Sequence, residues 1–260
     1  MTAPRYCVCL QANTADQIFE QVRVCKDTDI AIEVSEGDSP ARLIDRLHVE
    51  GSSRRRIIWS LRPLTGQPIG PLSRWQDAYP IDRLERFLDE LEPHLDAVPT
   101  HGVMLGWTPA WNDDLGPLGG LLPRRLDRPW LRIGVHTPRL DPSSTVPLIR
   151  DGLVDVVSTP FGLDDQRAAA WLLPVAEDAE CDVLVRGDGC TDRGRIVHEL
   201  AALGCDELPT RLAMTLRLAS MHRSVSAVLC PPPLWQQEML CQVPAIPDQW
   251  IDQISRRLAA

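Results

Sequence analysis

Leu131-Arg-Ile-Gly-Val-His-Thr137, Val154-Asp-Val-Val-Ser-Thr-Pro160 and Cys181-Asp-Val-Leu-Val-Arg-Gly-Asp188 follow one another with helix-like sequence between them. Each is a short β-branched run that stops abruptly in polar, Gly or Pro residues. Buried parallel strands read this way, because helices cover both faces of such a sheet and its far ends open into loops.

Working outward, the same alternation extends in both directions. Upstream, strands are predicted at Tyr6 to Leu10, Asp29 to Ile32, Arg56 to Leu61 and Val103 to Leu105. Asn13 or Thr14 is placed to cap a helix running through Cys25, Pro40 to open another, and Ile81, Leu84, Leu88 and Leu91 to form the inner stripe of a third. The loop from Arg62 to about Tyr79 is longer than usual and reads equally as a lid or a plain insertion. Leu115 to Arg125 contains three glycines and two prolines and reads as a poor helix. Downstream, helices are expected from Ser144 to Asp151, Asp164 to Glu180, Asp192 to Leu203, Pro209 to His222, Leu234 to Cys241 and Asp248 to Leu258, with an eighth strand at Ala227 to Cys230. Eight strands alternating with about eight helices predict an α/β fold, a (β/α)8 TIM barrel occupying residues 1–260 as one domain. No G-x-G-x-x-G follows any strand, which counts against a Rossmann domain.

Composition narrows the function classes. The formal charge is -9, which argues against nucleic acid and anionic membrane as partners, since both need a basic face. Arg54 to Arg56 reads as a solvated loop. With no apolar run of membrane-spanning length and no signal peptide at Met1 to Leu10, a cytoplasmic protein with a small-molecule substrate is expected. Lys26 is the only lysine, so catalysis by a lysine must use it or be excluded. The eight cysteines contain no C-x-x-C, and Cys7 and Cys9 read as small buried hydrophobes of a reducing compartment. No histidine has a second ligand at metal spacing, and nothing in the sequence sets an oligomeric state.

In a barrel of this kind the site lies at the carboxyl ends of the strands. Those ends carry Asn13, Glu33, Glu36, Arg62, Trp107, His136, Thr137, Ser158, Arg186, Asp188 and Cys230. Three acids, two guanidiniums, an imidazole and an indole would make a polar pocket for a carboxylate or polyhydroxylated ligand. Glu33 and His136 are the candidate catalytic pair. Asn13, Glu36, Arg62, Trp107, Ser158, Arg186 and Asp188 are the candidate substrate contacts. The competing readings are structural: a hydrogen-bonded His136, a solvated Glu36 and an Arg186–Asp188 ion pair.

The stretch from Leu131 to Asp188 resembles the aldo/keto reductase family. Arg132-Ile-Gly-Val-His-Thr matches its I-G-V-S-N strand, and Leu153-Val-Asp-Val-Val-Ser-Thr-Pro-Phe-Gly-Leu-Asp-Asp-Gln its V-D-V-V-Q-x-P-Y-N-L-L strand and loop. Glu33-Val-Ser-Glu-Gly-Asp-Ser and Arg56 to Arg62 continue the likeness more weakly, and the family's N-terminal hairpin has no counterpart. The resemblance implies a barrel and a nicotinamide-dependent carbonyl reductase using a tyrosine acid, a lysine, an aspartate and a histidine. Here Glu33 or Asp27 stands at the aspartate position, a deletion or Ile32 at the tyrosine, Leu61 or Arg62 at the lysine, and Gly106 at the histidine unless His101 is shifted into it. The pair that holds the nicotinamide amide corresponds to His136 and Thr137, its glutamine partner to Ser158, and the phosphate-binding segment to Cys230-Pro-Pro-Pro. NADPH-dependent reduction is therefore disfavoured, no cofactor is expected, and three functions remain open. The first is cofactor-independent proton transfer (isomerase, lyase or cyclase), with a place in a biosynthetic pathway. The others are a non-catalytic binding relative, with Trp75, Trp111 and Trp235 as an interface, and a divergent reductase.

Overall fold

The computed structural model describes residues 5–10, 29–34, 39–49, 57–64, 69–70, 72–94, 100–138, 141–162, 165–186 and 217–230. Its strands are β1 (Arg5–Leu10), β2 (Asp29–Val34), β3 (Ile57–Leu61), β4 (Thr100–Gly106), β5 (Ile133–His136), β6 (Val156–Pro160), β7 (Asp182–Arg186) and β8 (Val225–Cys230). All pair in parallel with their neighbours in chain order, and β8 returns to β1 through Arg5↔Ala227 to Val8↔Cys230, closing the barrel. The predicted (β/α)8 barrel is the observed fold.

The strands read as near-continuous apolar runs because both faces are buried. Ile57 to Leu61 and Val156 to Pro160 are buried at every position. One face of each strand from β2 to β8 meets the surrounding helices α1 (Pro40–Val49), α2 (Trp75–Ala78), α3 (Ile81–Leu91), α4 (Leu118–Asp127), α5 (Val146–Arg150) and α6 (Arg167–Asp178) in one large core. The other fills the barrel with Ala31, Ile58, Met104, Val156, Leu184, Ala227 and Leu229. A methyl group on Gly134 would come within 2.1 Å of the Met104 sulfur, so glycine on β5 makes the room that Met104 fills from β4.

α4 corrects an expectation. Leu118–Asp127 is helical despite Gly119, Gly120 and Pro123, residues that local propensity counts as costly. Tertiary contact overrides them. An added Cβ at Gly120 would lie 2.0 Å from Cδ1 of Ile81, so the glycine lets α4 close onto α3. Leu118 and Leu121 are buried in the large core, Pro123 is exposed, and Arg124 pairs with Glu85 of α3. Two further helices differ in extent. The segment expected to be helical from Ser144 begins as a 3₁₀ turn, Pro142–Thr145, before α5, and α6 is shorter than Asp164 to Glu180.

The long β3–α3 connection is tethered where it is described. Trp111 donates its indole N–H to the Ser73 carbonyl at 2.7 Å, and Trp75 donates to Asp114 at 3.2 Å. Trp111 is only 3% exposed, so it belongs to the core and is not available as an interface residue. Among the described residues no helix is long and apolar enough to cross a membrane, and no three His, Cys, Asp or Glu side chains are grouped to hold a metal. The helices expected at Asn13 to Cys25, Asp192 to Leu203, Leu234 to Cys241 and Asp248 to Leu258, the Arg54 to Arg56 run, Lys26 and Trp235 lie outside the described residues.

Candidate functional site

Period-two alternation identifies what faces the barrel axis at its carboxyl end. Two residues beyond the interior positions Ala31, Ile58, Gly134, Val156 and Leu184 stand Glu33, Ser60, His136, Ser158 and Arg186. Register agrees: Glu33 pairs with Ser60 across β2 and β3, and His136 with Ser158 across β5 and β6. An apolar floor thus gives way within one strand step to a polar ring.

The ring is joined across the mouth by Ser60 and His136, whose Oγ and Nε2 lie 2.8 Å apart. β4 separates their strands but places Gly106, with no side chain, between them. His136 is partly buried overall, yet its Nδ1 is shielded from solvent and has no hydrogen-bond partner, and the same holds for the Ser158 hydroxyl. Burial, reinforced by the Arg186 guanidinium, pushes the imidazole down to about 3, so the ring is neutral at physiological pH. Buried polar atoms are ordinarily paired, and these two exceptions lie on register neighbours.

Glu33 is held from the rim. Arg62 donates to its Oε2 from Nε at 2.7 Å, and a terminal guanidinium nitrogen reaches the same oxygen. Arg83 in turn donates to the Arg62 carbonyl at 2.7 Å, which fixes the backbone where β3 ends. Next to this, the Tyr79 hydroxyl donates to the Leu61 carbonyl at 3.1 Å and accepts from the Gly106 amide at 2.8 Å, pinning β3 to β4. Burial pushes this phenol up to about 12. A Cβ at Gly106 would meet Ile69 at 2.6 Å and the Tyr79 oxygen at 3.1 Å, so only glycine allows the connecting loop to sit this close.

On the opposite side, Arg186 donates from a terminal nitrogen to the Thr137 carbonyl at 3.1 Å, and Thr137 donates its hydroxyl to Thr159 at 3.2 Å. The guanidinium is thereby held beside His136. Trp107 is 3% exposed, donates its indole N–H to Asn112 at 2.9 Å and packs edge-on against Trp111. It stands in the wall behind the mouth. Of the residues predicted for the site, Glu33, Arg62, His136, Ser158 and Arg186 gather at one end of the barrel. Asn13, Glu36 and Asp188 lie outside the described residues. Ser60 was not among the predicted residues. Its only signal is a lone polar side chain in Ile57-Ile-Trp-Ser-Leu, and without strand register that does not show which way it faces.

Tyr79, the tyrosine whose side chain is described, does not fit the proton donor of a nicotinamide-dependent reductase. Tyr79 has both its hydroxyl's donor and one acceptor engaged by backbone, is fully buried, and is harder to ionise than a free phenol. No lysine stands among the described residues to lower it.

No protein-family model matches the sequence, and no curated protein sequence matches it significantly. Solved structures do match. An aldo-keto reductase from Bacillus halodurans in its holo form superposes with a TM-score of 0.62 at 10% identity, covering 98% of this chain and 91% of that one. An aldo/keto reductase from Klebsiella pneumoniae in complex with NADP and acetate gives 0.61 at 15% identity, with the same coverages of 98% and 91%. Orotidine 5'-monophosphate decarboxylase from Methanocaldococcus jannaschii, complexed with the inhibitor BMP, gives 0.52 at 13% identity over the whole of both chains. The shared property is the barrel fold. The fold likeness agrees with the barrel that the resemblance of Leu131 to Asp188 implies.

Proposed function

We propose that this cytoplasmic barrel moves a proton on a small anionic metabolite, as an isomerase, lyase or cyclase, without a nicotinamide cofactor. The observation that carries the reading is the polar ring over an apolar floor at the catalytic end of the fold, where Ser60 is hydrogen-bonded to a neutral imidazole and is the register neighbour of the Glu33 carboxylate. Glu33 is the proton-transferring carboxylate, and the Arg62 ion pair orients it. His136 is the second group. Its low basicity makes it a neutral hydrogen-bond donor to charge developing on the substrate. Arg186 anchors the anion.

The test is deuterium exchange. The protein is incubated in heavy water with a panel of small carboxylates and phosphate esters, and label uptake is read by mass spectrometry. A substrate that takes up label should do so about a hundredfold more slowly with Glu33→Gln. Unchanged exchange in that variant would remove Glu33 from the mechanism. Micromolar NADPH binding seen by cofactor fluorescence would instead favour the reductase reading.

A further inference from the structure

We propose that the inner faces of β5, β6 and β7 form an oxyanion site, in which a carboxylate or phosphate group of a small ligand is held by Arg186, Nδ1 of His136 and the Ser158 hydroxyl. This rests on the reading of the mouth as a site for an anionic metabolite, and names the groups that select the anion.

The argument begins with the one proton a neutral imidazole carries. If Ser60 donates its hydroxyl proton to Nε2, the ring proton is on Nδ1 and one buried donor is left over. If Nε2 donates instead, both the Ser60 hydroxyl proton and a bare Nδ1 are left over. The first arrangement satisfies more groups and is the one the geometry favours. It turns Nδ1–H into a donor without an acceptor. Its register neighbour Ser158 carries a second hydroxyl proton without an acceptor, and it is fully buried. Arg186 adds a permanent positive charge close enough to lower the basicity of His136. Two orphaned donors beside a cation are complementary to one group of opposite charge with at least two acceptor oxygens. A carboxylate or a phosphate has that chemistry, whereas a carboxamide supplies one oxygen and no charge.

The readout is binding. Protein labelled with ¹⁵N in its histidine rings is observed by NMR, with His136→Gln assigning the signal. Sodium acetate, inorganic phosphate and acetamide are titrated separately. The expected results are an Nδ1–H tautomer in the free protein, a shift of the His136 ring on adding one of the two anions, and about tenfold weaker binding in Arg186→Gln and in Ser158→Ala. Bound anion should also raise the pH at which His136 protonates, because it stabilises the imidazolium. Acetate against phosphate identifies the anion.

No response to either anion at about 0.1 M would overturn the site. So would an equal response to acetamide, or undiminished binding in Arg186→Gln. Anion binding that persists in a protein catalysing no exchange would sink the proton-transfer reading and leave this site standing. Exchange dependent on Glu33, with no anion effect on His136, would do the reverse.

Discussion

The same three strands, β5, β6 and β7, enter the barrel through one polar cluster and leave it through another. At the amino end Arg132 pairs with Asp182 at 2.9 Å and donates to the Asp155 carbonyl at 3.2 Å. Asp155 receives the Ile133 amide at 2.9 Å and the Arg125 guanidinium at 2.5 Å. These groups answer one another. Four residues further along β5 and three beyond Asp155, His136 and Ser158 have buried atoms with no partner. A closed polar network contributes to the stability of the fold, whereas an open one at the carboxyl end is complementary to something else.

The largest effect expected from this contrast is at the amino end. Asp155→Ala leaves the Ile133 amide without its acceptor and Arg125 without its partner, and should cost about 3 kcal/mol. Urea unfolding should show a lower midpoint with an unchanged slope, and anion binding at the carboxyl end should survive wherever the variant is folded. Loss of that binding in folded Asp155→Ala would show that the two ends are not separable.

β5 to β7 are legible in the sequence because each is a β-branched run cut short by Thr137, Pro160 or the Arg186-Gly pair, a signal contained in a few neighbouring residues. α4 is not. The penalties of Gly120 and Pro123 are local, while the contact with Ile81 that uses Gly120 comes from a helix thirty-odd positions away. The site divides in the same way. His136 and Arg186 end their strands, Glu33 stands one residue before the end of β2 and Ser158 two before the end of β6, so all four can be found by position. Ser60 acquires its role only when closure of the barrel brings β3 opposite β5, and Tyr79 only when its loop returns to bridge Leu61 and Gly106.

Acid should separate the ends in another way. The native His136 protonates near 3 against 6.5 for an ordinary ring, so between those values the unfolded chain binds the proton that the native protein refuses. Stability contributed by this group is full above pH 6.5 and falls as pH drops toward 3. The difference between wild type and His136→Gln isolates it from titrating carboxylates elsewhere. By pH 4 it should reach on the order of 2 kcal/mol, allowing for water at the open side of the ring. A constant difference across that window would mean that His136 protonates normally in the native state, and would remove the neutral imidazole from the site.

Tyr79→Phe tests the rim. It deletes the hydroxyl that joins the Leu61 carbonyl to the Gly106 amide and should cost about 1.5 kcal/mol in denaturant unfolding. Because the mouth is shaped by the distance between β3 and β4, the Ser60–His136 bond should loosen too, visible as a change in the ¹⁵N shift of His136 Nε2, the nitrogen that accepts from Ser60. A stability loss without that change would make Tyr79 a tie for the loop alone.

The smallest expected change in stability is the most discriminating. Removing a hydroxyl that makes no hydrogen bond forfeits nothing that holds the protein together, and it relieves the desolvation of a buried polar group. Ser158→Ala should therefore leave stability within about 0.5 kcal/mol of wild type, or raise it slightly. Its mirror at the amino end, Asp155→Ala, is expected to be severe, although both positions belong to the β6 region of the chain. The asymmetry is what a site predicts. A group retained where it does not help the fold is explained by what it binds, and the same variant should weaken anion binding about tenfold. If Ser158→Ala were instead as damaging as Asp155→Ala, the hydroxyl would have a structural partner in solution, and the carboxyl end of these strands would be as closed as the amino end.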